Sequence, residues 1–206
     1  MKHGYTIILM IVFVTCNKEI TLITKYKIER NMNLSSQFTK LVEQHEGFSP
    51  KAYKDARGLQ TIGFGTLIDS AQLDYLLNAT IDKNEAEQLL FAHAAKEKFI
   101  LNNLLAQGWK LNQNQFDALA DFAYNEGDNA LLGSTLLKLI KEDPTNLEAI
   151  KNAFLAYDKT AAINADGTVK RNPDGSIMLR VLPGLVTRRE DEYNLFITPV
   201  SNDTQA

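Results

Sequence analysis

The sequence predicts an α+β fold, mostly helical, in two lobes. A small N-terminal lobe carries a short β-sheet, one long helix bridges the lobes, and a helical C-terminal lobe follows. Three observations predict this. Residues 47–65 are broken by Gly and Pro and carry two turn signals, Asp55-Ala56-Arg57-Gly58 and Gly63-Phe64-Gly65. From residue 82 onward, apolar residues recur at helical spacing behind capping residues. The composition, 45% hydrophobic and 23% charged over 206 residues, is ordinary for a globular chain with a sizeable core.

The elements follow in order. Lys2 and His3 precede an apolar run, Tyr5 to Val14, that ends at Thr15-Cys16-Asn17-Lys18. The run is shorter than the about 20 apolar residues of a membrane span and suits an export-signal core. Cys16 at its end is placed like the lipidated cysteine of a bacterial lipoprotein. Residues 1–33 are therefore assigned to a signal or lipoprotein-like segment, or to a spurious extension upstream of a start at Met32. The folded domain is expected at 34–197 and a flexible tail at 198–206. Phe38, Leu41 and Val42 share one helix face, Ser35 or Ser36 caps its start, and Gly47 and Pro50 stop it. Glu46 thus closes a helix at the mouth of a loop. Residues 51–66 are expected as a hairpin or three-stranded sheet, with Asp55 at a turn and Thr61 on a strand.

Asp82-Lys83-Asn84-Glu85 has the form of a capping box and opens the bridging helix, a run to Gln107 with Leu89, Leu90, Ala94, Phe99 and Leu104 on its apolar side. Asn112 to Gln115 opens a second helix, ended by Gly127, and Leu131 to Ile140 forms a third. Thr145 to Glu148 caps a fourth, reaching about Tyr157. Pro183 stands in the first turn of a last helix through Phe196. Between these two, "NADGTV" and "NPDGSI" carry Asp-Gly turn signals, and a surface hairpin over Asn164–Leu182 is expected, with its tip at Asn172–Gly175. A calcium loop is rejected there, because alternating ligands and a distal Glu are missing.

Bulk properties exclude several function classes. The net charge of -3 gives no basic balance for nucleic acid. The single cysteine allows no internal disulfide, and His3, His45 and His93 lack metal-ligand spacing. Taken singly, Glu46, Asp55 and Thr61 read as a surface carboxylate, a turn former and a packing residue. The Gly63-Phe64-Gly65 pair is a poor dinucleotide fingerprint, with no strand-to-helix transition and no third Gly.

Together the motifs are sharper. "EGF", "AYKDARG" and "TIGFG" stand in order, with nine residues from Glu46 to Asp55 and six from Asp55 to Thr61. This pattern resembles the phage-type lysozymes, the family of T4 lysozyme and the lambdoid endolysins (glycoside hydrolase family 24). "QFDALADFAYNEG", "GSTLLKLI" and "LPGLVTRREDEYNLF" extend the resemblance across about Leu34 to Phe196. Two departures stand out. Thr66 replaces the His that commonly follows the Thr-Ile-Gly-x-Gly motif, and the Asn164–Leu182 hairpin is longer than in compact members.

The resemblance implies a lysozyme-like fold and a muramidase. Such an enzyme hydrolyses the β-1,4 bond between N-acetylmuramic acid and N-acetylglucosamine in peptidoglycan. Glycoside cleavage needs a proton on the leaving oxygen and help for the positive charge that grows on the sugar carbon. The resemblance casts Glu46 as general acid, with Asp55 and Thr61 stabilising charge and positioning water. Partial desolvation and the negative end of the helix dipole both favour a carboxyl that keeps its proton. Asp55, on an open turn, is expected to stay ionised.

The resemblance also casts Arg188 near Glu46. A pure ion pair would oppose the acid role, so a water-screened or orienting contact is expected, against the alternative of an exposed Arg in the 188–192 charged patch. Leu67, Tyr124, Asn125 and Thr135 match positions near the saccharide cleft. A lytic transglycosylase and an inactive peptidoglycan-binding module on the same fold are the competing readings. No metal or organic cofactor is implied. The expected partners are peptidoglycan glycan strands, with no nucleic acid, and a monomer is expected. Membrane anchoring or envelope localisation follows if residues 1–33 are genuine. Otherwise the protein stays cytoplasmic until phage-type lysis.

Overall fold

The computed structural model describes residues 4–16, 19–55, 58–68 and 73–200. Gly4–Cys16 (β1) and Glu19–Asn31 (β2) pair antiparallel. Parts of the expected signal segment, residues 1–3 and 17–18, lie outside the described residues, as do 201–206 of the expected tail. Met32, two residues before the expected start of the domain, is buried in the core, and its backbone exchanges hydrogen bonds with the Asn102 side chain.

Helix α1 (Ser36–Glu46) begins at Ser35, whose hydroxyl accepts from the Gln37 N–H, and ends at Gly47 with φ 73°. It leads into a three-stranded antiparallel sheet of Ser49–Lys54 (β3), Gln60–Gly63 (β4) and Thr66–Leu67 (β5). Two glycines have specific duties here. Gly63 (φ +68°) lies so close to the following helix that a Cβ would meet the Ala86 Cβ at 3.1 Å. Gly65 (φ +78°) turns the chain beside Glu46, where a Cβ would stand 3.6 Å from Oε2.

A short helix, α2 (Leu73–Leu76), precedes α3 (Lys83–His93) and α4 (Ala95–Ala106). The Asp82–Glu85 capping box forms as expected. The bridging helix, however, is interrupted at Ala94 (φ -83°, ψ 13°), where the backbone leaves the helical range and the methyl group is fully buried. Phe99, expected on the apolar side, is 64% exposed. Asn112 caps α5 (Gln113–Glu126), which runs through the core.

The third expected helix is divided into α6 (Asp128–Leu132) and α7 (Thr135–Glu142). Gly133 ends the first, and Ser134 caps the second by accepting from the Leu137 N–H. In α8 (Leu147–Leu155) the capping side chain is Asn146, which accepts from the Ala149 N–H. The Thr145 hydroxyl instead donates to Asp143.

The expected single hairpin tip becomes two turns. Lys159–Ala161 (β6) and Leu179–Val181 (β7) pair antiparallel, and bridges Ile163↔Val169 and Arg171↔Ile177 join the intervening chain. Each turn uses Asn, Asp, Gly and a hydroxyl residue. Thr168 donates to Asp166 and Ser176 to Asp174, through both the backbone and the hydroxyl. At the centre, Ala162 donates to Met178, Met178 to Lys170, and Lys170 to Ala162, at 2.8–2.9 Å. This ring of backbone bonds at eight-residue spacing ties the insertion together without a core of its own.

Pro183 opens α9 (Pro183–Ile197), which packs on α5 and α8. One hydrophobic core links the sheet, through Ile62 and Phe64, to Phe38 of α1, Phe116 and Phe122 of α5, Phe154 of α8 and Phe196 of α9. No helix among the described residues is long and apolar enough to cross a membrane.

Candidate active site

Glu46 stands at the last position of α1, where the chain turns into the sheet. Its side chain is 36% exposed. Arg188 donates from Nη1 to Glu46 Oε1 at 2.6 Å. The carboxylate is therefore gripped by one oxygen, while Oε2 lies beside Gly65.

Arg188 is buried, 3% exposed, and not a surface residue of a charged patch. The expected water-screened contact is a direct ion pair. Its other edge is taken by Asp121, which accepts from Nε at 3.0 Å and from Nη2 at 2.8 Å. Burial alone would lower the Arg188 pKa. The hydrogen bonds and charge of Asp121, then of Glu46, outweigh it and push the pKa up.

Asp55 is held by its own turn. Its N–H donates to the Leu59 carbonyl, and its Oδ1 accepts from the Leu59 N–H, both at 2.9 Å. Thr61 lies opposite Tyr53 on one side and Leu67 on the other. Directly opposed residues share a face, so these three form a row across the sheet. The Thr61 hydroxyl is nearly fully buried and donates to the Leu59 carbonyl at 3.2 Å.

Tyr53 relates the two carboxylates. Its pKa is raised first by burial and then by the negative charges of Glu46 and Asp55, so both lie within electrostatic reach of one phenol. Tyr124, on α5, closes another side. It meets Phe38 and His93 edge-on at 6.1 and 5.6 Å, and its hydroxyl is pushed up to about 12 by burial and then by Glu46. His45 is lowered from its ordinary value, by burial first and then by the Arg188 charge.

The remaining expected residues separate. Leu67 is half-buried in the row with Thr61. Asn125 accepts from Arg189 Nη2 at 2.7 Å, which commits its carbonyl end to an internal network. Thr135 is exposed at the first position of α7, and no contact among the described residues ties it to Glu46. A cavity of about 270 Å³ lies elsewhere, lined by Trp109, Lys110, Ile140, Lys141 and Pro144 among others.

Sequence reading missed Asp121, Arg189 and Glu192, all fully buried. Arg189 donates to Glu126 at 2.9 Å and to Glu192 at 2.6 Å, and lies 4.9 Å from the centroid of the Phe122 ring. The available signal was the pair Asp117 and Asp121, four apart inside an otherwise apolar helix face.

A family model described as phage lysozyme matches residues 43–192. The chain belongs to the phage lysozyme family. The match spans every element from Glu46 to Arg188, so the family assignment covers the site just described. The endolysin of Bacillus phage B103 is 32% identical over 174 residues, covering 84% of this chain. This chain spans 57% of that longer relative. The endolysin of Salmonella phage P22 is 32% identical over 128 residues, covering 62% of this chain and 85% of the relative. Among solved structures, the endolysin from Escherichia coli O157:H7 phage FAHEc1 superposes with a TM-score of 0.61 at 26% identity, covering 82% of this chain and 96% of that one. As a phage lysozyme, the chain is a peptidoglycan-hydrolysing enzyme of lysozyme type, and its mostly helical fold with a small antiparallel sheet is the lysozyme-like one.

Proposed function

We propose that this lysozyme is a muramidase that hydrolyses the β-1,4 bond between N-acetylmuramic acid and N-acetylglucosamine, with Glu46 as general acid. The observation that carries this reading is the half-open Glu46 carboxyl, held through Oε1 by a buried arginine while Oε2 carries no hydrogen bond from the described residues. In this reading the proton sits on Oε2 and passes to the leaving glycosidic oxygen. Donation of this kind accelerates a reaction by about 10²–10⁴-fold.

Asp55 balances the positive charge that develops on the sugar carbon, with its Oδ1 oriented by the Leu59 N–H. Thr61 already uses its O–H on Leu59, so it would position water through its acceptor lone pairs. Tyr124 and Leu67 flank the bond to be cut, and Arg188 orients the acid. Asn125 and Thr135 would extend the saccharide cleft away from the acid, with no contact to Glu46 among the described residues.

The test is Glu46→Gln, which keeps the shape and removes the transferable proton. Lysis of purified peptidoglycan should fall by at least about 10²-fold with unchanged circular dichroism. Near-parental turnover would remove Glu46 from the acid role. Product analysis separates the chemistry: new reducing ends support hydrolysis, whereas 1,6-anhydro ends would make the protein a transglycosylase.

A further inference from the structure

Behind Glu46 lies a layer of buried charge that the acid role does not by itself require. Arg188 presents an Nε/Nη2 edge and a separate Nη1 corner. Asp121, fully buried, takes the whole edge through two bonds at 2.8 and 3.0 Å. Nη1, outside that edge, donates to Glu46. A planar guanidinium held on one edge by a carboxylate cannot swing its remaining corner, so the position of Glu46 Oε1 is inherited from Asp121. Glu192, also fully buried, stands 3.8 Å from Arg188 Nε and binds Arg189 more closely.

The charges lead to the same residue. An unscreened guanidinium 2.6 Å from Glu46 would favour the carboxylate, the form that cannot donate a proton. Asp121 sets its carboxyl against the same guanidinium in a site closed to water, where charges are weakly screened. We infer that Asp121 is a positioning residue for the reaction: it fixes the Arg188 corner that orients Glu46 and cancels the guanidinium charge that would otherwise strip Glu46 of its proton. The inference rests on the reading of Glu46 as general acid. Arg189 is the internal contrast. It is equally buried and equally supplied with carboxylates, yet it ends on Asn125, Glu126 and Glu192 and does not reach Glu46.

Other groups also face Glu46. Tyr53 approaches from β3 and Asp55 from the following turn, Tyr124 and Asp121 from α5, Arg188 from α9, and His45 precedes it in α1. The two phenols are raised and stay neutral at working pH. His45, lowered by burial and then by the Arg188 charge, and Glu192 behind Arg188, raised by burial and then by the Asp121 charge, are the two neighbours whose ionisation must be separated from that of Glu46.

The experiment measures the pH profile of reducing-end release from solubilised peptidoglycan. A general acid gives a limb that falls as pH rises. Asp121→Asn should move that limb to lower pH by about one unit, because a compensating negative charge is lost. The shift should persist in His45→Gln and in Glu192→Gln backgrounds. Asp121→Asn/Arg188→Gln removes both charges and should return the limb to near its parental pH, whereas a limb moved to higher pH would mean that Asp121 had not cancelled the Arg188 charge and overturns the inference. That double variant carries the test if Asp121→Asn alone does not fold. A purely structural Asp121 would lower turnover or stability and leave the limb in place, and that result overturns the inference. So does a shift that vanishes with His45→Gln or Glu192→Gln. An active Glu46→Gln would instead sink the acid assignment, whereas an inactive Glu46→Gln with an unmoved limb sinks only the role of Asp121.

Discussion

At the scale of single residues, the two glycines of the Gly63-Phe64-Gly65 turn do different work, and substitution should separate them. Both have positive φ, which costs a non-glycine residue about 1–2 kcal/mol. A methyl at position 63 would also press on Ala86 at 3.1 Å, so the sheet would have to lift from α3. Gly63→Ala should therefore lose about 2–3 kcal/mol in urea unfolding, with the surviving folded enzyme still active. A methyl at position 65 would stand at ordinary contact distance, 3.6 Å from Glu46 Oε2. Gly65→Ala should lose only the backbone strain in stability and show its larger effect in turnover, because it crowds the oxygen assigned to carry the proton. If the two variants behaved alike, the turn would act on the fold alone.

At the scale of elements, legibility followed the range of the determining interactions. Ser35, Asp82 and Asn112 cap helices through bonds to residues two or three positions away, and each was readable. The Gly133-Ser134 stop and restart was equally local but was overridden by apolar spacing that runs through it. The Ala94 interruption has no local signal, since Ala is the best helix former. Arg188 with Asp121 was illegible for a different reason: the partners lie 67 residues apart, and a carboxylate in a helix ordinarily faces water. The insertion between α8 and α9 is the element with a prediction of its own. Paired and alternating positions place Ile163, Val169, Ile177, Leu179 and Val181 on one face, all at least 40% exposed. It joins α9 five residues before Arg188. Replacing residues 163–177 by a short glycine turn should slow turnover of cross-linked peptidoglycan more than that of short oligosaccharides. Equal losses on both substrates would assign the insertion to folding.

At the scale of the whole molecule, Asp117 joins the start of the domain to its central helix. It is fully buried in α5 and accepts from the Ser35 N–H at 3.0 Å, the Ser35 hydroxyl at 2.5 Å and Gln113 at 3.2 Å. Burial raises its pKa from 3.8 to about 6, with those hydrogen bonds acting in the opposite direction. The folded protein thus holds this proton more tightly than the unfolded chain does. The resulting stability is fully present below about pH 4 and is lost as pH rises through about 6, an effect of about 3 kcal/mol for a shift of this size. Asp117→Asn keeps an acceptor for the Ser35 N–H and removes the ionisation. Urea unfolding of both proteins from pH 4 to 7 should show the parent losing stability relative to the variant across that window. Carboxylates common to both, including the raised Glu192 and the lowered Asp143, Asp166 and Asp174, cancel in the difference. A difference that is flat with pH would mean that Asp117 is ionised alike in the folded and unfolded chain, and that the Ser35 anchor carries no coupling between protonation and the attachment of α1 to α5.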